Sequence, residues 1–364
     1  MARPPEPASV VVTGVGMRCP VGNDAVQSAA SVRAGISGYA PWPYFGVTFG
    51  EDAALIAAAT LPDLRDGPWT DKALELIEPA LAEALAGRED PRVRAPGVAK
   101  RTAFFLATPY ATRSGVAEAS FKAFVDEAHM QWQKSAAFGA VEIIAADHAA
   151  GLVAMARAVE ALQKMERDLC VVAGVDSLLE PTFLHDVWAE RRLKTPDGDS
   201  GLIPGEAGAV VVLERAADAA QRQSPVLARI GSLVLDREPG GLRLTEALRA
   251  EGLSRAVQGA LAAVDPQTIH RIVADLTGER WRFLEWGLVE TRCLGKLPKN
   301  WQLWHPAEYL GDIGAASSVA GVVLGTRAFA RRYAGPGGIL ICASSTGGER
   351  GAMTLLAPQG EGDH

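Results

Sequence analysis

The sequence predicts a five-layered α/β sandwich, in the order αβαβα, built from two pseudo-repeated halves. The main observation is a pair of helical segments, residues 149–164 and 314–329, whose apolar side chains cover almost the whole circumference. Each is followed by a continuous apolar strand, residues 169–175 and 338–344, which is typical of strands covered on both faces. Because a single sheet would leave one face of each helix in water, we expect these helices to form a layer between two sheets.

The helix–strand order occurs twice, and this repetition predicts the division of the chain. We place the N-terminal half at residues 1–215 and the C-terminal half at residues 216–364. The boundary falls at the start of a polar run, residues 216–224, that separates the two apolar blocks.

Composition excludes several classes of protein. The 364 residues are 48% hydrophobic and 22% charged, which argues against disorder and against a coiled coil. The net charge of −7, without a dense run of Lys or Arg, argues against a nucleic-acid partner. The four cysteines are far apart and show no metal-type spacing, so we expect reduced thiols in the cytoplasm, no metal and no cofactor. No apolar run reaches the roughly 18 residues of a membrane span.

The remaining elements follow in chain order. A β-branched run predicts a strand over residues 9–16, and Asp24 caps a helix that continues to residue 32. Residues 39–69 carry Pro, Gly and aromatic side chains without a period and indicate an irregular surface segment. Thr70 and Asp71 cap a helix to residue 86, which Pro79 should kink or split. A strand at 102–108, a polar helix at 120–134 and a strand at 141–146 complete this half.

An ordered set of motifs is similar to one known family. The chain begins with Val-Val-Val-Thr-Gly-Val-Gly-Met at residues 10–17, and Gly-Val-Asp-Ser stands at 174–177. Gly-Leu-Ile-Pro-Gly-Glu-Ala-Gly at 201–208 precedes Val-Val-Val-Leu-Glu at 210–214, and Gly-Gly at 347–348 precedes Met-Thr-Leu. These residues resemble the β-ketoacyl-acyl carrier protein synthases of the thiolase-like superfamily, over nearly the whole chain. The resemblance implies the thiolase-like form of the predicted sandwich.

The resemblance also implies where catalytic residues should lie, and this chain departs from the pattern. The family places a cysteine at the start of the first buried helix, where the helix dipole stabilises the thiolate, and His148 stands there. Asp275 occupies the position of the first family histidine, and Gly311, with Asp312 beside it, that of the second. The family lysine falls near Pro306. The chain is therefore identified as a divergent member that lacks the catalytic cysteine and histidines.

Two interpretations of the site stay open. His148 could be vestigial, or it could act as a general base beside Asp147, with Asp275 and Asp312 facing it across the pocket. Against catalysis, a helix N-terminus disfavours a charged imidazole, and neighbouring helical residues do not face one another. Asp275 and Asp312 could equally cap adjacent turns.

Other polar and aromatic residues are interpreted structurally. Thr346 stands at the position of a gating phenylalanine, and Arg350 replaces an asparagine. Arg350 could bind an anion such as a phosphopantetheine phosphate, but an internal salt bridge to Asp275 or Asp312 is favoured. Glu206 is taken as structural. A tryptophan-rich segment is interpreted as core or interface anchors rather than as a ligand stack: Trp281, Trp286, Trp301 and Trp304.

The functional hypothesis is a catalytically degenerate synthase-like protein, acting as a non-condensing partner or scaffold in fatty acid or polyketide metabolism. One alternative is a thioester hydrolase or acyltransferase that uses His148 with the aspartates, and another is an adaptor that uses the fold only as a binding surface. The resemblance implies a homodimer, or a heterodimer with an active synthase, through an edge strand expected at residues 169–175, and an acyl carrier protein as a further partner.

Overall fold

The computed structural model describes residues 8–49, 51–64, 67–86, 101–116, 121–127, 138–335 and 337–358. Twelve strands have these bounds: β1 Val10–Arg18, β2 Tyr39–Phe49, β3 Asp52–Ala59, β4 Thr102–Thr108, β5 Ala140–Ala145, β6 Leu169–Ser177, β7 Glu206–Arg215, β8 Ala228–Arg237, β9 Ile269–Ala274, β10 Gln302–Trp304, β11 Gly338–Ser344 and β12 Glu349–Leu356. The α-helices are α1 Ala25–Arg33, α2 Trp69–Ala84, α3 Ala150–Gln163, α4 Pro181–Ala189, α5 Ala216–Gln221, α6 Glu251–Ala262, α7 Arg280–Cys293, α8 Ala307–Leu310 and α9 Ser317–Ala330.

Ten of the strands form one mixed sheet made of two five-stranded halves in matching order. The N-terminal half runs β1-β7-β6-β4-β5, and the C-terminal half runs β8-β12-β11-β9-β10. In each half the last three strands run parallel to one another, and the first two are antiparallel to their neighbours. The halves join at β1 and β8 through only two residue pairs, Val11 with Arg229 and Val12 with Ala228.

The two helices expected in the centre of the molecule lie there. Helices α3 and α9 pack on strands from both halves of the sheet, and α9 is buried along ten of its fourteen residues. Helix α2 covers the outer face of β1, β7 and β6, whereas α6 lies on β8 and β12, with α7 beside it. These are the five layers that the sequence predicts, because a helix that is apolar all round must be buried on most sides.

The sequence predicts that Pro79 kinks helix α2 or splits it, and the structure shows one unbroken helix through Pro79. Proline has no N–H to donate to the carbonyl of residue i−4, which is Glu75. Here Arg18 on β1 donates Nη1–H to that carbonyl oxygen at 2.9 Å, so the acceptor is satisfied from outside the helix. The predicted side-chain cap is also absent: the helix begins after Pro68, and the side chains of Thr70 and Asp71 do not cap it.

Two further expectations about the N-terminal half were wrong. Much of the segment predicted to be irregular, residues 39–69, forms the antiparallel hairpin β2–β3, whose buried Trp42, Val47 and Ile56 pack with residues near α4. The strand predicted to be the pairing edge is β6, which lies in the middle of its half between β7 and β4. Among the described residues, the edge strand of this half is β5.

The helix predicted at 120–134 is described only over 121–127, which are helical, and the rest lies outside the described residues. Within the part of the chain that the structure describes, no helix has the length and apolar character needed to cross a membrane.

Candidate functional site

The candidate site forms where the two central helices begin. A 3₁₀ turn, Asp147–Ala149, leads into α3, and its counterpart in the other half, Gly314–Ala316, leads into α9. The Ser318 hydroxyl donates to the His148 carbonyl oxygen at 2.6 Å, which ties the two helix starts together. Gly151 allows this close approach, because a Cβ at that position would lie 2.9 Å from the Ser318 side chain.

His148 lies between two carboxylates in this turn and is 4% exposed. Its Nε2 is 2.8 Å from Asp312 Oδ1, and its Nδ1 is 3.3 Å from Asp147 Oδ1 without making a hydrogen bond. Asp147 adopts a φ of 54°, a left-handed conformation that turns the chain before the helix begins. The expectation that Asp147 and His148 would not face one another was therefore wrong, because Asp147 precedes the helical geometry.

The two carboxylates keep the imidazole charged. Burial and the nearby Arg282 guanidinium both lower the pKa of His148, but the charges of Asp312 and Asp147 outweigh them and raise that pKa to about 10. Burial opposes the charge on the aspartates as well, yet His148 holds the pKa values of Asp147 and Asp312 below their usual range. A helix N-terminus disfavours a charged imidazole, as the sequence analysis expects. Here Asp312, a second carboxylate from the other half of the chain, outweighs that effect.

Asp275 does not face His148. Its Oδ2 accepts a hydrogen bond from Arg282 Nη1 at 2.7 Å and another from the Ser344 N–H at 2.8 Å. Arg282 is 2% exposed, and its Nη1 also donates to the Ser344 carbonyl oxygen at 2.8 Å. Asp275 therefore holds an arginine that lines the cavity, whereas its own side chain lines a different, very small pocket.

Asp312 has both of the roles that the sequence left open. Besides contacting His148, its Oδ1 accepts the Gly314 N–H at 2.9 Å, which caps the turn into α9. A second aspartate, Asp176 at the end of β6, accepts the Ala315 N–H at 3.0 Å and a two-pronged hydrogen bond from Arg113 at 2.6 and 2.7 Å. The two helix starts therefore bring together four charged side chains from different parts of the chain: Arg113, His148, Asp176 and Asp312.

A cavity of about 260 Å³ opens over these groups. Glu279 is buried on one side, where its Oε1 accepts from Arg192 Nε at 2.7 Å. On another side Tyr110 donates a short hydrogen bond to Glu349. The lining is rich in charged and polar side chains, which include Tyr110, Arg113, Asp147, His148, Arg192, Arg243, Glu279, Arg282, Asp312 and Thr346.

The final turn closes the cavity with internal contacts. The Ser345 hydroxyl accepts the Ala149 N–H at 2.8 Å and donates to the Ala146 carbonyl oxygen at 2.6 Å, so this backbone donor is already used. Thr346 lines the cavity, with its hydroxyl 3.5 Å from Asp147. Arg350 forms the expected internal salt bridge, but with buried Glu285 at 2.7 Å rather than with Asp275 or Asp312.

None of the four cysteines lies at the cavity. Cys19, Cys170 and Cys342 are buried in or next to strands, and Cys293 ends α7. Burial raises the pKa of each thiol, to about 12 for Cys170. Within the residues described above, no group of three or more His, Cys, Asp or Glu side chains is arranged to hold a metal ion.

The tryptophans singled out in the sequence do not form one patch. Trp286 is buried in the core of the C-terminal half, and Trp301 packs against the same core. Trp281 instead stacks on Arg282 at 4.4 Å and on Arg350 at 5.8 Å. Trp304 lines a separate cavity on the C-terminal half. The interpretation as core anchors therefore holds for two of the four.

Glu206 accepts hydrogen bonds from the Leu61 N–H and the Ser177 hydroxyl inside the protein. Sequence reasoning missed Arg113, Arg192 and Arg282 at the cavity. Arg113 and Arg192 pair with Asp176 and Glu279, which are 63 and 87 residues away, so no local spacing signals them. Arg282 pairs with Asp275 and Glu279, which are near it in the sequence, but the Ser344 carbonyl oxygen that it also contacts is 62 residues away.

Two matched halves around a central pair of buried helices, with a polar cavity at the helix starts, define a thiolase-like protein. Solved structures share this fold. A chain from the complex of a type II polyketide synthase acyl carrier protein with its ketosynthase superposes on this protein with a TM-score of 0.78 at 17% identity. The superposition covers 97% of this chain and 100% of that chain. The ishigamide ketosynthase/chain length factor gives 0.73 at 18% identity, with coverages of 97% and 100%.

Sequence comparisons identify the family to which this chain belongs within the thiolase-like fold. The model of the β-ketoacyl synthase N-terminal domain matches residues 136–219. The tetracenomycin polyketide synthase ketoacyl synthase beta subunit of Streptomyces glaucescens is 31% identical over 318 residues, 75% of this chain and 74% of the relative. A putative polyketide beta-ketoacyl synthase 2 of Streptomyces coelicolor is 28% identical over 316 residues, 74% of this chain and 70% of the relative. This chain belongs to the β-ketoacyl synthase family.

Proposed function

We propose that this chain is a catalytically degenerate, non-condensing β-ketoacyl synthase-like subunit, a partner or scaffold in acyl-thioester metabolism of the fatty acid or polyketide type. One observation carries the proposal: a buried His148–Asp312 ion pair occupies the helix start where the family resemblance places a cysteine nucleophile. An imidazolium has no free lone pair with which to attack a thioester, and the four thiols lie elsewhere. The similarity to a beta subunit of a polyketide synthase agrees with this assignment.

The same geometry counts against the alternative of a thioester hydrolase or acyltransferase centred on His148. A general base works best when its pKa lies near the working pH, because it must be free to accept a proton. With a pKa of about 10, His148 already carries that proton at neutral pH. Asp147 and Asp312, whose pKa values lie below their usual range, are weak bases.

For the partner, we propose an active, cysteine-containing synthase subunit that pairs with the edge strand β5, with a homodimer as the alternative. An edge strand offers unpaired backbone groups to a second chain. Glu142 lies in the middle of β5, where its carboxylate contacts Arg157. An acyl carrier protein is a further proposed partner, and one structural relative is seen in complex with its own carrier protein.

The test of catalysis measures free thiol released from acyl- and malonyl-thioesters of coenzyme A and of carrier protein, with the chain alone and co-expressed with an active synthase subunit. We expect no release by the chain alone. The pair should be equally active with wild type and with His148→Ala at a temperature where thermal unfolding shows the variant to be folded, because loss of the His148–Asp312 ion pair also lowers stability. Release by the chain alone that disappears in His148→Ala would establish the hydrolase instead. A chain that neither acts nor pairs with a synthase would be an adaptor.

The test of the partner surface uses two charge reversals. Glu142→Lys changes a half-buried position on the edge strand, whereas Glu246→Lys makes the same change of charge at an exposed position in the C-terminal half. We expect co-purification of the synthase subunit to fall only with Glu142→Lys, measured by size-exclusion chromatography with light scattering. Equal co-purification with both variants would remove β5 from the interface, and a self-dimer without any heterodimer would support the homodimer.

A further inference from the structure

A separate cavity, of about 220 Å³, lies on the N-terminal half between the hairpin β2–β3 and the start of α2. None of its lining residues lines the cavity over His148. Its buried lining residues, which we call the floor, are Trp42, Leu61, Lys72, Leu179 and Glu206. Its exposed lining residues, which we call the rim, include Pro41, Pro43, Tyr44 and Pro62. The cavity therefore opens to solvent above a buried base.

Lys72, in the first turn of α2, brings a positive charge to the floor. A lysine usually extends its ammonium into water, but Lys72 is only 6% exposed. Its Nζ donates to the Leu179 carbonyl oxygen at 3.4 Å, and this ammonium makes no other hydrogen bond or ion pair among the described residues. An ammonium has three N–H donors, so two of them remain for other acceptors. A buried charge costs free energy unless such acceptors are supplied.

Glu206 is on the same floor, but it is engaged elsewhere. Its Oε1 accepts the Leu61 N–H at 2.9 Å, and its Oε2 accepts the Ser177 hydroxyl at 2.9 Å. These contacts tie the start of β7 to the segment after β3 and to the end of β6. The acid also limits the charge that the cavity can accept, because a dianion would be repelled by Glu206 more strongly than a single carboxylate bound at Lys72.

The rim is apolar although it is exposed. Tyr44 is 64% exposed, with its ring packed edge-on against Trp42 at 5.7 Å between centroids. The three prolines add rigid apolar surface that carries no N–H donor. The cavity thus combines one cation at its base with apolar surface at its opening, which is complementary to a ligand that has a negatively charged head and an apolar body.

We propose that this cavity binds a small monocarboxylic acid, with its carboxylate on the Lys72 ammonium and its apolar body against Trp42, Tyr44 and the prolines of the rim. The cavity is smaller than the roughly 300–1,000 Å³ of sites for drug-sized ligands, so it fits a short chain or a single ring. The carboxylate supplies the acceptors that the ammonium lacks. The proposal depends neither on the role of His148 nor on the partner at β5.

The experiment is a calorimetric titration of the full chain with hexanoate and benzoate, and with hexanamide and benzamide as uncharged probes of the same shape. We expect at least one acid to bind about tenfold or more tightly than its amide, because a charge-assisted hydrogen bond to the ammonium is lost with the amide. Hexyl phosphate, a dianion of similar length, should bind more weakly than hexanoate. Tighter binding of hexanoate or of benzoate identifies the body of the ligand as a chain or a ring.

Variants locate the binding site. Lys72→Met keeps the length of the side chain but removes its charge and should weaken binding of the tighter acid about tenfold or more. Lys164→Met removes the charge of a lysine whose side chain is 58% exposed and should leave the affinity unchanged. Thermal unfolding checks that Lys72→Met folds, and Tyr44→Ala, at the exposed rim, should weaken binding severalfold without disturbing the floor. Absence of binding by both acids at millimolar concentration, equal binding of acid and amide, or wild-type affinity in Lys72→Met would overturn the proposal.

Discussion

The protonated state of His148 has a measurable consequence for stability. The pKa of about 10 in the folded chain lies above the ordinary value of 6.5, so the charged form favours folding. This contribution is fully present below pH 6.5 and is lost as the pH rises through 10. The pKa rises by about 3.5, and one pKa unit corresponds to about 1.4 kcal/mol, so the full contribution, below pH 6.5, is at most about 5 kcal/mol.

The assay compares urea unfolding of wild type and His148→Gln at intervals between pH 6 and 10. We expect the difference in free energy of unfolding to be largest near pH 6.5 and to shrink by several kcal/mol toward pH 10, because only wild type loses the charge. His185→Gln is the matched control, since the side chain of His185 is 67% exposed and its replacement should change the free energy of unfolding little. A flat difference for His148→Gln would refute the argument that Asp312 and Asp147 hold the proton.

Three other outcomes are expected. Arg282→Met should lower the free energy of unfolding, measured by urea titration, by about 3–5 kcal/mol, because it leaves the carboxylate of Asp275 buried without its cation. Arg280→Met, at an exposed position, is the control and should change the free energy of unfolding little. Gly151→Ala should cost about 1–3 kcal/mol in that titration, because the new methyl group meets the second central helix at 2.9 Å, and unchanged stability would mean that the helices can separate freely. In a thiol-labelling experiment on the folded chain, Cys293 should react first, because Cys293 is half-buried whereas the other three cysteines are buried. Those three thiols should react only after unfolding, and rapid labelling of a second thiol would contradict this.

The sequence predicted most of the architecture because burial leaves a local signal. Helices α3 and α9 are apolar over most of their circumference, and β6 and β11 are continuous apolar runs, so the central layers can be recognised from pattern alone. The hairpin β2–β3 was missed because its prolines and aromatic residues show no alternation over which a strand could be recognised. The division at residue 215 stays a prediction, and residues 216–221 form helix α5.

The site was harder to predict because it depends on pairs that are distant in sequence. His148 and Asp312 were identified from the family pattern, but they are 164 residues apart, and nothing local indicates their contact. Similarly, the position of β6 in the middle of the sheet depends on where β4 and β5 add, which the strand sequence itself does not encode. The continuity of α2 through Pro79 depends on a donor from another strand.

The two ends of the ten-stranded sheet differ, and this difference limits how copies could assemble. At one end β5 presents six residues, whereas at the other end β10 has only three, a length that blunts strand addition. A sheet that can extend at one end only cannot propagate into a fibre, because each new chain uses up the growing edge. Association through β5, with a like or an unlike chain, would therefore stop at two subunits.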